Sequence, residues 1–332
     1  MEKPAITVLT ASLNDWPSLK ALLPLLDAAL AEHAASVRVV CMDDGSSLAL
    51  PGDLLDGHEF KVIDRVEIVH LLRNLGNQRA LSIGMGWVAR HVTCDWLVVM
   101  DCDHEDRPEV IPELLAAARA EGGAKIVFAA RTERSESWLF KAFYAAYKRL
   151  YKTLTGMPIS IGNFSVVPGR LVRKLAGVWE IGLHFPAGIM KARLPYASIG
   201  AARGSRLFGR TNMNLYSLVI HGFSGLAVHG EMVATRFILA TLASSFLVMI
   251  YLAKVLFEKF FTDIPIIGWT SLIVSTFLGF LVQTVMLGLL LLFSTLNARM
   301  QRPVIPLNDH PDFIDTVSVF PTDRSRASAP AP

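Results

Sequence analysis

Apolar and polar positions along the chain change their period repeatedly before about residue 230, and beyond it the alternation gives way to long apolar runs. Short β-rich apolar runs at 5–10, 37–42, 67–72, 96–100 and 125–130 read as strands buried on both faces of a parallel sheet. Between and after them, apolar residues recur at helical spacing over 16–31, 78–90, 108–121 and 137–154, with a shorter helix at 170–175. Strands alternating with helices at this spacing predict an α/β fold with a doubly wound, mostly parallel sheet over 1–200. A basic, glycine-bearing loop, AARGSRLFGRTNMN, opens the 201–231 segment. The helix after it sets Tyr216, Val219, Ile220, Phe223 and Leu226 on one face and Asn214, Ser217, His221 and Ser224 on the other. Such an element is expected to lie in a membrane interface. Within 232–295, residues 233–257 are apolar apart from Arg236 and Lys254 near the ends, and about 25 residues span a bilayer. A hydrophilic loop at 258–263 leads to a second apolar run, 264–293, longer than a span requires. The remaining tail, 296–332, ends in SRASAPAP and is expected to be disordered.

Composition sharpens this picture. Of 332 residues, 52% are apolar, too oily for a soluble enzyme of this size, and the excess is concentrated after residue 230. A net charge of +3 with no basic block interleaved with aromatics argues against nucleic acid as a partner. Cys41, Cys94 and Cys102 have no metal-ligand spacing and fit free thiols in a reducing compartment. The opening MEKPAITVLT has no basic stretch followed by an apolar core, so no cleavable signal peptide is expected. Arg203, Arg206 and Arg210 precede the apolar pair, and Arg299 and Arg302 follow it. That bias predicts an integral membrane protein with the front domain and both termini cytosolic.

The candidate chemistry begins at WLVVMDCDHEDRPE, residues 96–109. Ligands of open α/β sheets bind beyond the carboxyl ends of strands. Asp101, Asp103, Glu105 and Asp106 crowd that place, and such carboxylates repel one another unless a cation joins them. Hard oxygen ligands suit Mg²⁺ or Mn²⁺, which can neutralise a diphosphate leaving group. A solvated acidic loop fits the same spacing. Asp43-Asp44-Gly45-Ser46 ends the second strand and offers carboxylates to a ribose or base, although an ordinary Asp-Gly turn reads the same way. Arg73 ends the third strand, and Arg131, Arg134 and Lys141 follow the fifth, where phosphate could reach them. The aromatic stripe over 138–151 reads as core or membrane-surface packing.

Together these motifs, over roughly residues 5–295, resemble the membrane-anchored family 2 glycosyltransferases that load a sugar onto a polyprenyl phosphate. Dolichyl-phosphate mannose synthase and the bactoprenol glucosyltransferases are of this type. The resemblance rests on Asp43-Asp44-Gly45-Ser46, Arg73-Asn74-Leu75-Gly76, Asp101-Cys102-Asp103 with Arg107-Pro108-Glu109, Arg131, Arg206-x-x-Gly209-x-Thr211 and the closing helix pair. It implies a GT-A type nucleotide-diphospho-sugar transferase domain. It also implies inverting transfer of a hexose from a UDP- or GDP-sugar to a polyprenyl phosphate at the cytosolic bilayer face.

By that resemblance, Asp101, Asp103 and Arg131 are the catalytic candidates, and Asp101, Asp103 and Glu105 hold Mg²⁺ or Mn²⁺. Asn14, Asp15, Asp43, Asp44, Arg73, Asp101 and Arg131 bind the nucleotide sugar, and Arg203, Arg206, Arg210 and Thr211 bind the lipid phosphate. A homo-oligomer is implied too, with a tetramer among the forms the family allows. The chain departs from the family pattern at several points. The opening Pro-x-Tyr-Asn-Glu is Ala11-Ser12-Leu13-Asn14-Asp15, and the Leu-Gln after the acids is His104-Glu105. Gly-Asp-Phe-Arg is Gly162-Asn163-Phe164-Ser165, which removes an acid from the acceptor side, and the loop's Ser-Lys is Thr211-Asn212. A processive polysaccharide synthase shares the front domain but normally has more membrane helices and a Gln-x-x-Arg-Trp element. A non-catalytic membrane scaffold is the other alternative, and the retention of both Asp101 and Asp103 weighs against it.

Overall fold

In the computed structural model, which describes residues 3–131, 138–157, 161–202, 204–208, 215–262 and 268–322, the expected strands form as β1 (Ala5–Ser12), β2 (Ser36–Asp43), β3 (Ile63–Leu71), β4 (Trp96–Val99) and β5 (Ile126–Arg131). Three further strands join them: β6 (Ile161–Pro168), β7 (Tyr196–Ala201) and β8 (Ile314–Pro321). The eight strands make one sheet in the order β7-β5-β6-β4-β1-β2-β3-β8. The central pairings β4–β1–β2–β3 and the β5–β7 pairing are parallel, whereas β6 runs antiparallel to both its neighbours and β8 antiparallel to β3. Helices α1 (Trp16–Leu30), α2 (Asn77–His91), α3 (Ile111–Ala120), α4 (Trp138–Thr155), α5 (Gly169–Ala176), α6 (Phe185–Lys191) and α7 (Leu215–Val228) follow in chain order. Residues 108–110 form a 3-10 turn rather than the first turn of α3.

Helical spacing explains how α1 holds the sheet. Leu19, Leu22, Leu23, Leu26 and Leu30 lie on one stripe and are fully buried in a cluster with Ile6, Val8, Val37 and Val39. Each such leucine contributes about 1.5–3 kcal/mol relative to exposure. Register then places the site. Ser12 pairs with Asp43 and Leu9 with Val99, so the loops leaving β1, β2 and β4 open on one edge of the sheet.

The described residues divide into two compact units. The first draws on 1–146, 158–228 and 304–332 and contains the sheet. The second draws on 147–157 and 229–303. It holds α8 (Gly230–Phe261) and α9 (Trp269–Met300), 32 residues each and both long and apolar enough to cross a membrane. At 1.5 Å per residue each extends roughly 48 Å, longer than the ~30 Å hydrocarbon layer. Tyr251 of α8 meets Phe277 of α9 with ring centroids 5.1 Å apart, while side chains such as Leu242, Phe246 and Leu290 remain exposed. Within the same unit the Arg236 guanidinium donates to the Thr153 carbonyl at the end of α4, and the buried Tyr151 ring packs edge-on to His229.

The disorder expected for the tail does not hold over 304–322. Helix α10 (Pro306–Asp309), a 3-10 turn (His310–Phe313) and β8 return to the first unit. Arg90 of α2 donates to the Leu307 carbonyl (3.1 Å) and to Asn308 Oδ1 (3.2 Å), and Thr322 Oγ donates to the Ile63 carbonyl at 2.7 Å. The strand is stabilised by pairing along β3, which would otherwise be an open sheet edge. The short alternation of Val317 and Val319 with Thr316 and Ser318 was the available signal for it. Of the expected interfacial helix, α7 forms, with Leu226 buried and Phe223 exposed. The side chains of Tyr216, Val219 and Ile220 lie outside those described.

Candidate active site

Four loops at the carboxyl edge of the sheet build the site. The β1–α1 loop is clamped to the β2 loop by Asn14, which has a left-handed backbone (φ 54). Its Oδ1 accepts from the Ser47 and Leu48 amides, each at 2.9 Å, and its own amide donates to Ser46 Oγ at 2.8 Å. Asp43 accepts from the Ser46 amide through Oδ1 (3.0 Å) and faces His70 Nδ1 through Oδ2 (2.8 Å). Asp44 accepts from the Leu75 amide at 2.7 Å and the Gly76 amide at 2.9 Å, which fixes the loop after β3. Both acids are buried, and burial pushes the Asp44 carboxyl above the usual carboxylate range. Asp43 and Asp44, expected to bind the nucleoside, therefore also hold these loops, and each carboxylate oxygen keeps a second lone pair. Every one of their side-chain oxygens already accepts a hydrogen bond that shapes these loops. Arg73 is exposed, and among the described residues it donates to the neighbouring Asn74 carbonyl, at 3.4 Å.

The acidic loop after β4 is tied in the same manner. Asp106 accepts from the Asp101 amide (2.9 Å), Asp101 Oδ1 accepts from Asn77 Nδ2 (3.1 Å), and Asp103 Oδ1 accepts from the Glu105 amide (3.1 Å). Desolvation and then the Asp101 charge hold the Asp103 carboxyl above its ordinary value. Between them His104 takes a left-handed backbone (φ 69) and buries its ring, with Nε2 3.0 Å from the Ser18 carbonyl.

Among the described residues, one cation enters this acid cluster. Arg206 Nη2 lies 2.7 Å from Asp15 Oδ2, and Nη1 lies 3.5 Å from Asp103 Oδ2. Its loop docks on the acidic loop through Gly204, whose amide donates to the Glu105 carbonyl at 2.9 Å. A Cβ at 204 would lie 2.2 Å from the His104 carbonyl oxygen, so only glycine allows this approach. The structure thus brings Arg206, expected on the lipid side, onto Asp15 and Asp103. Arg203, Arg210, Thr211, Arg134 and the side chains of Arg131 and Lys141 lie outside the described residues.

The expected trio Asp101, Asp103 and Glu105 does not converge. No cluster of three His, Cys, Asp or Glu side chains that could hold an ion occurs among the described residues. His104, between Asp103 and Glu105, has a left-handed backbone, and Glu105 lines a small cavity with Asp106, Gly162, Phe164 and Ala202. Asp101 and Asp103 still fit a divalent metal, because Mg²⁺ sites commonly use one or two carboxylates with substrate phosphates completing the shell. The strain on Asp103, whose charge is disfavoured by burial and by Asp101, is what such a cation would relieve.

Residues not anticipated from the sequence also shape the site. Gln78, at the start of α2, donates to Asn163 Oδ1 (3.1 Å), and its Oε1 accepts from the Phe185 amide (2.6 Å) at the start of α6. It therefore ties the wall of β6 to α6. His70 links Asp43 to β8, and a histidine inside the apolar run of β3 was the available signal. Cys102 is buried and pushed up to about 12 chiefly by burial, so its thiol stays protonated beside the acids. All three cysteines are free.

Comparison with known proteins agrees with this architecture. The chain is 28% identical over 238 residues to YkcC of Bacillus subtilis, described as an uncharacterized glycosyltransferase, covering 70% of this chain and 71% of that protein. It is 30% identical over 151 residues to an undecaprenyl-phosphate 4-deoxy-4-formamido-L-arabinose transferase of Enterobacter sp., covering 46% of this chain and 44% of the other. Glucosyl-3-phosphoglycerate synthase from Mycobacterium tuberculosis, solved with Mn²⁺, UDP-glucose and phosphoglyceric acid, superposes with a TM-score of 0.50 at 14% identity, covering 69% of this chain and 80% of that one. That likeness extends to the fold, a GT-A-like α/β domain. Residues 7–174 match the family model described as glycosyl transferase family 2, and the chain belongs to that family.

Proposed function

We propose that this glycosyltransferase moves a hexose from a UDP- or GDP-linked donor to a polyprenyl phosphate at the cytosolic membrane face. The observation that carries the reading is Arg206. It belongs to the loop that leads towards the apolar helices, yet its guanidinium sits on Asp15 and Asp103 at the strand ends. A group in that position can serve a donor diphosphate and a lipid phosphate arriving from the bilayer. The undecaprenyl-phosphate transferases among the relatives support the same acceptor class.

The chemistry needs little from the protein beyond placement and charge. A lipid phosphate is already anionic near neutral pH, so one of its oxygens can attack the anomeric carbon without a general base. The donor diphosphate departs from the opposite face with the bonding electron pair, which inverts the anomeric centre. Asn163 suits this scheme, since its amide accepts a hydrogen bond from Gln78 and takes up no proton at neutral pH. Asp101 and Asp103 would hold Mg²⁺ or Mn²⁺, which when bound supplies positive charge to the leaving diphosphate. Arg206 adds fixed positive charge beside it, where it stabilises developing negative charge without reorganisation. Asn14, Asp43 and Asp44 hold the loops against which the nucleoside packs.

Chain connectivity supports the topology. Residues before α8 and residues after α9 belong to the same compact unit, so a pair of membrane crossings returns the chain to its starting side. Arginines flanking the pair in the sequence support a cytosolic location for that side. The test of function is to incubate the purified protein in detergent with undecaprenyl phosphate and a panel of UDP- and GDP-sugars. Release of one nucleoside diphosphate that requires the lipid is the expected result. Equal release with and without lipid would overturn the acceptor assignment.

A further inference from the structure

A chain of polar contacts leads from the donor side of the site to the far edge of the sheet. His70 Nδ1 lies 2.8 Å from Asp43 Oδ2, and His70 Nε2 lies 3.1 Å from Ser318 Oγ. Ser318 is on β8, in the segment that follows both apolar helices. It pairs directly with Ile68 and His70 with Thr316, so His70 and Ser318 are diagonal neighbours, within reach of long side chains. In the tautomer whose Nδ1–H donates to the Asp43 carboxylate, Nε2 is the acceptor and the Ser318 hydroxyl donates to it. The line continues inward, because Asp43 also accepts from the Ser46 amide and Ser46 Oγ accepts from the Asn14 amide. The next residue, Asp15, holds Arg206.

We propose that His70 and Ser318 are positioning residues for the donor nucleotide, acting through Asp43 on the turn at 43–47. The segment returning from the apolar helices then completes the donor site as well as the sheet. This rests on the reading of the strand-end loops as the nucleotide site. Asp43 is buried, so its carboxylate has little water to orient it, and His70 sets which oxygen faces the Ser46 amide. Without the Ser318 hydroxyl the ring loses the partner that fixes its tautomer and rotation.

The test uses the full chain in detergent, with calorimetric binding of UDP and of GDP in the presence of Mn²⁺, and donor KM and kcat for transfer. Ser318→Ala is expected to weaken binding of the nucleotide and raise donor KM about three- to tenfold, the range one net hydrogen bond carries. Its kcat should stay within about twofold on the same scale. Ser318→Thr, which keeps the hydroxyl and suits a strand, should restore wild-type KM. Thr316→Ala, on the same strand, should leave KM unchanged and reports any general loosening of β8. His70→Gln, too short to span both partners, should raise KM at least as much as Ser318→Ala. Unchanged nucleotide affinity in Ser318→Ala, or no rescue by Ser318→Thr, would overturn the proposal alone. A wild-type chain that binds neither nucleotide would overturn the site reading with it.

Discussion

Gly45 is the point where two loops of the proposed donor site touch, and replacing it with alanine tests whether that contact matters. Its backbone is left-handed (φ +74), and a Cβ there would lie 2.6 Å from the Asn74 amide nitrogen and 2.8 Å from the Arg73 carbonyl carbon. The left-handed conformation alone costs a non-glycine residue about 1–2 kcal/mol. Relief of the clash requires backbone to move, parting the 43–46 turn from the 73–76 loop. That movement strains the Asp44 bonds to the Leu75 and Gly76 amides, at 2.7 and 2.9 Å. Each is worth roughly 0.5–1.5 kcal/mol net, so the whole change comes to about 2–5 kcal/mol. Gly57 provides the control, since it is also left-handed (φ +84) but a Cβ there would meet nothing within 4 Å. Gly57→Ala should therefore show only the conformational cost, about 1–2 kcal/mol. The assay pairs chemical unfolding with donor KM on purified protein. A loss of about 2 kcal/mol in the binding-ready loop corresponds to a donor KM raised roughly thirtyfold in Gly45→Ala. A Gly45→Ala enzyme no less stable than Gly57→Ala, with unchanged donor KM, would refute the reasoning.

Arg206→Ala should lower transfer at least about tenfold, the scale of one charge-assisted contact, with Arg206→Lys restoring part because a point charge lacks the paired donors of guanidinium. Wild-type transfer by Arg206→Ala would reduce the arginine to an anchor. Cysteine introduced at Thr262 should react with an impermeant reagent added outside intact cells, and cysteine at Asn308 should not; labelling at 308 would reverse the topology. Docking of the returning segment should depend on pH through His310, whose Nδ1 contacts the Pro306 carbonyl at 3.0 Å and whose buried Nε2 has no hydrogen-bond partner among the described residues. Burial holds its pKa below 6.5, so the undocked segment takes up a proton first as pH falls. Stability from docking is thus fully present above 6.5 and declines as pH drops below it, towards the folded value. Amide exchange in β8 should accelerate in that direction, and His310→Leu should flatten the dependence; pH-independent exchange in the wild type would contradict it.

The parallel core was readable because its strands are continuous apolar runs and its helices carry leucines at helical spacing, as in α1. Strand β6 escaped because Gly162-Asn163-Phe164-Ser165 looks like a turn, and it is held as a strand by antiparallel pairing between β4 and β5. β8 escaped for a related reason: its residues gain their conformation from β3, far away in sequence. At the site, residue types were readable but roles were not. Asp43 and Asp44 have the chemistry of ligands, and the sequence did not show that they also accept from the backbone amides of Ser46, Leu75 and Gly76. Glu105 follows Asp103 closely, and nothing in the sequence announced the left-handed backbone of His104 between them. Arg206 shows the opposite case, since its distance in sequence from Asp15 concealed a 2.7 Å ion pair.

The most direct test of the account follows labelled sugar from a nucleotide donor into an organic-extractable lipid, comparing the wild-type chain with Asp103→Asn. Wild type with undecaprenyl phosphate and Mn²⁺ should transfer label to the lipid, and chelation should stop it. Asp103→Asn should keep the thermal stability of the wild type, because its side chain lies in a strand-end loop outside the core cluster, and should transfer essentially none. Near-normal transfer by a folded Asp103→Asn protein would contradict the claim that the acids beyond β4 carry the reaction.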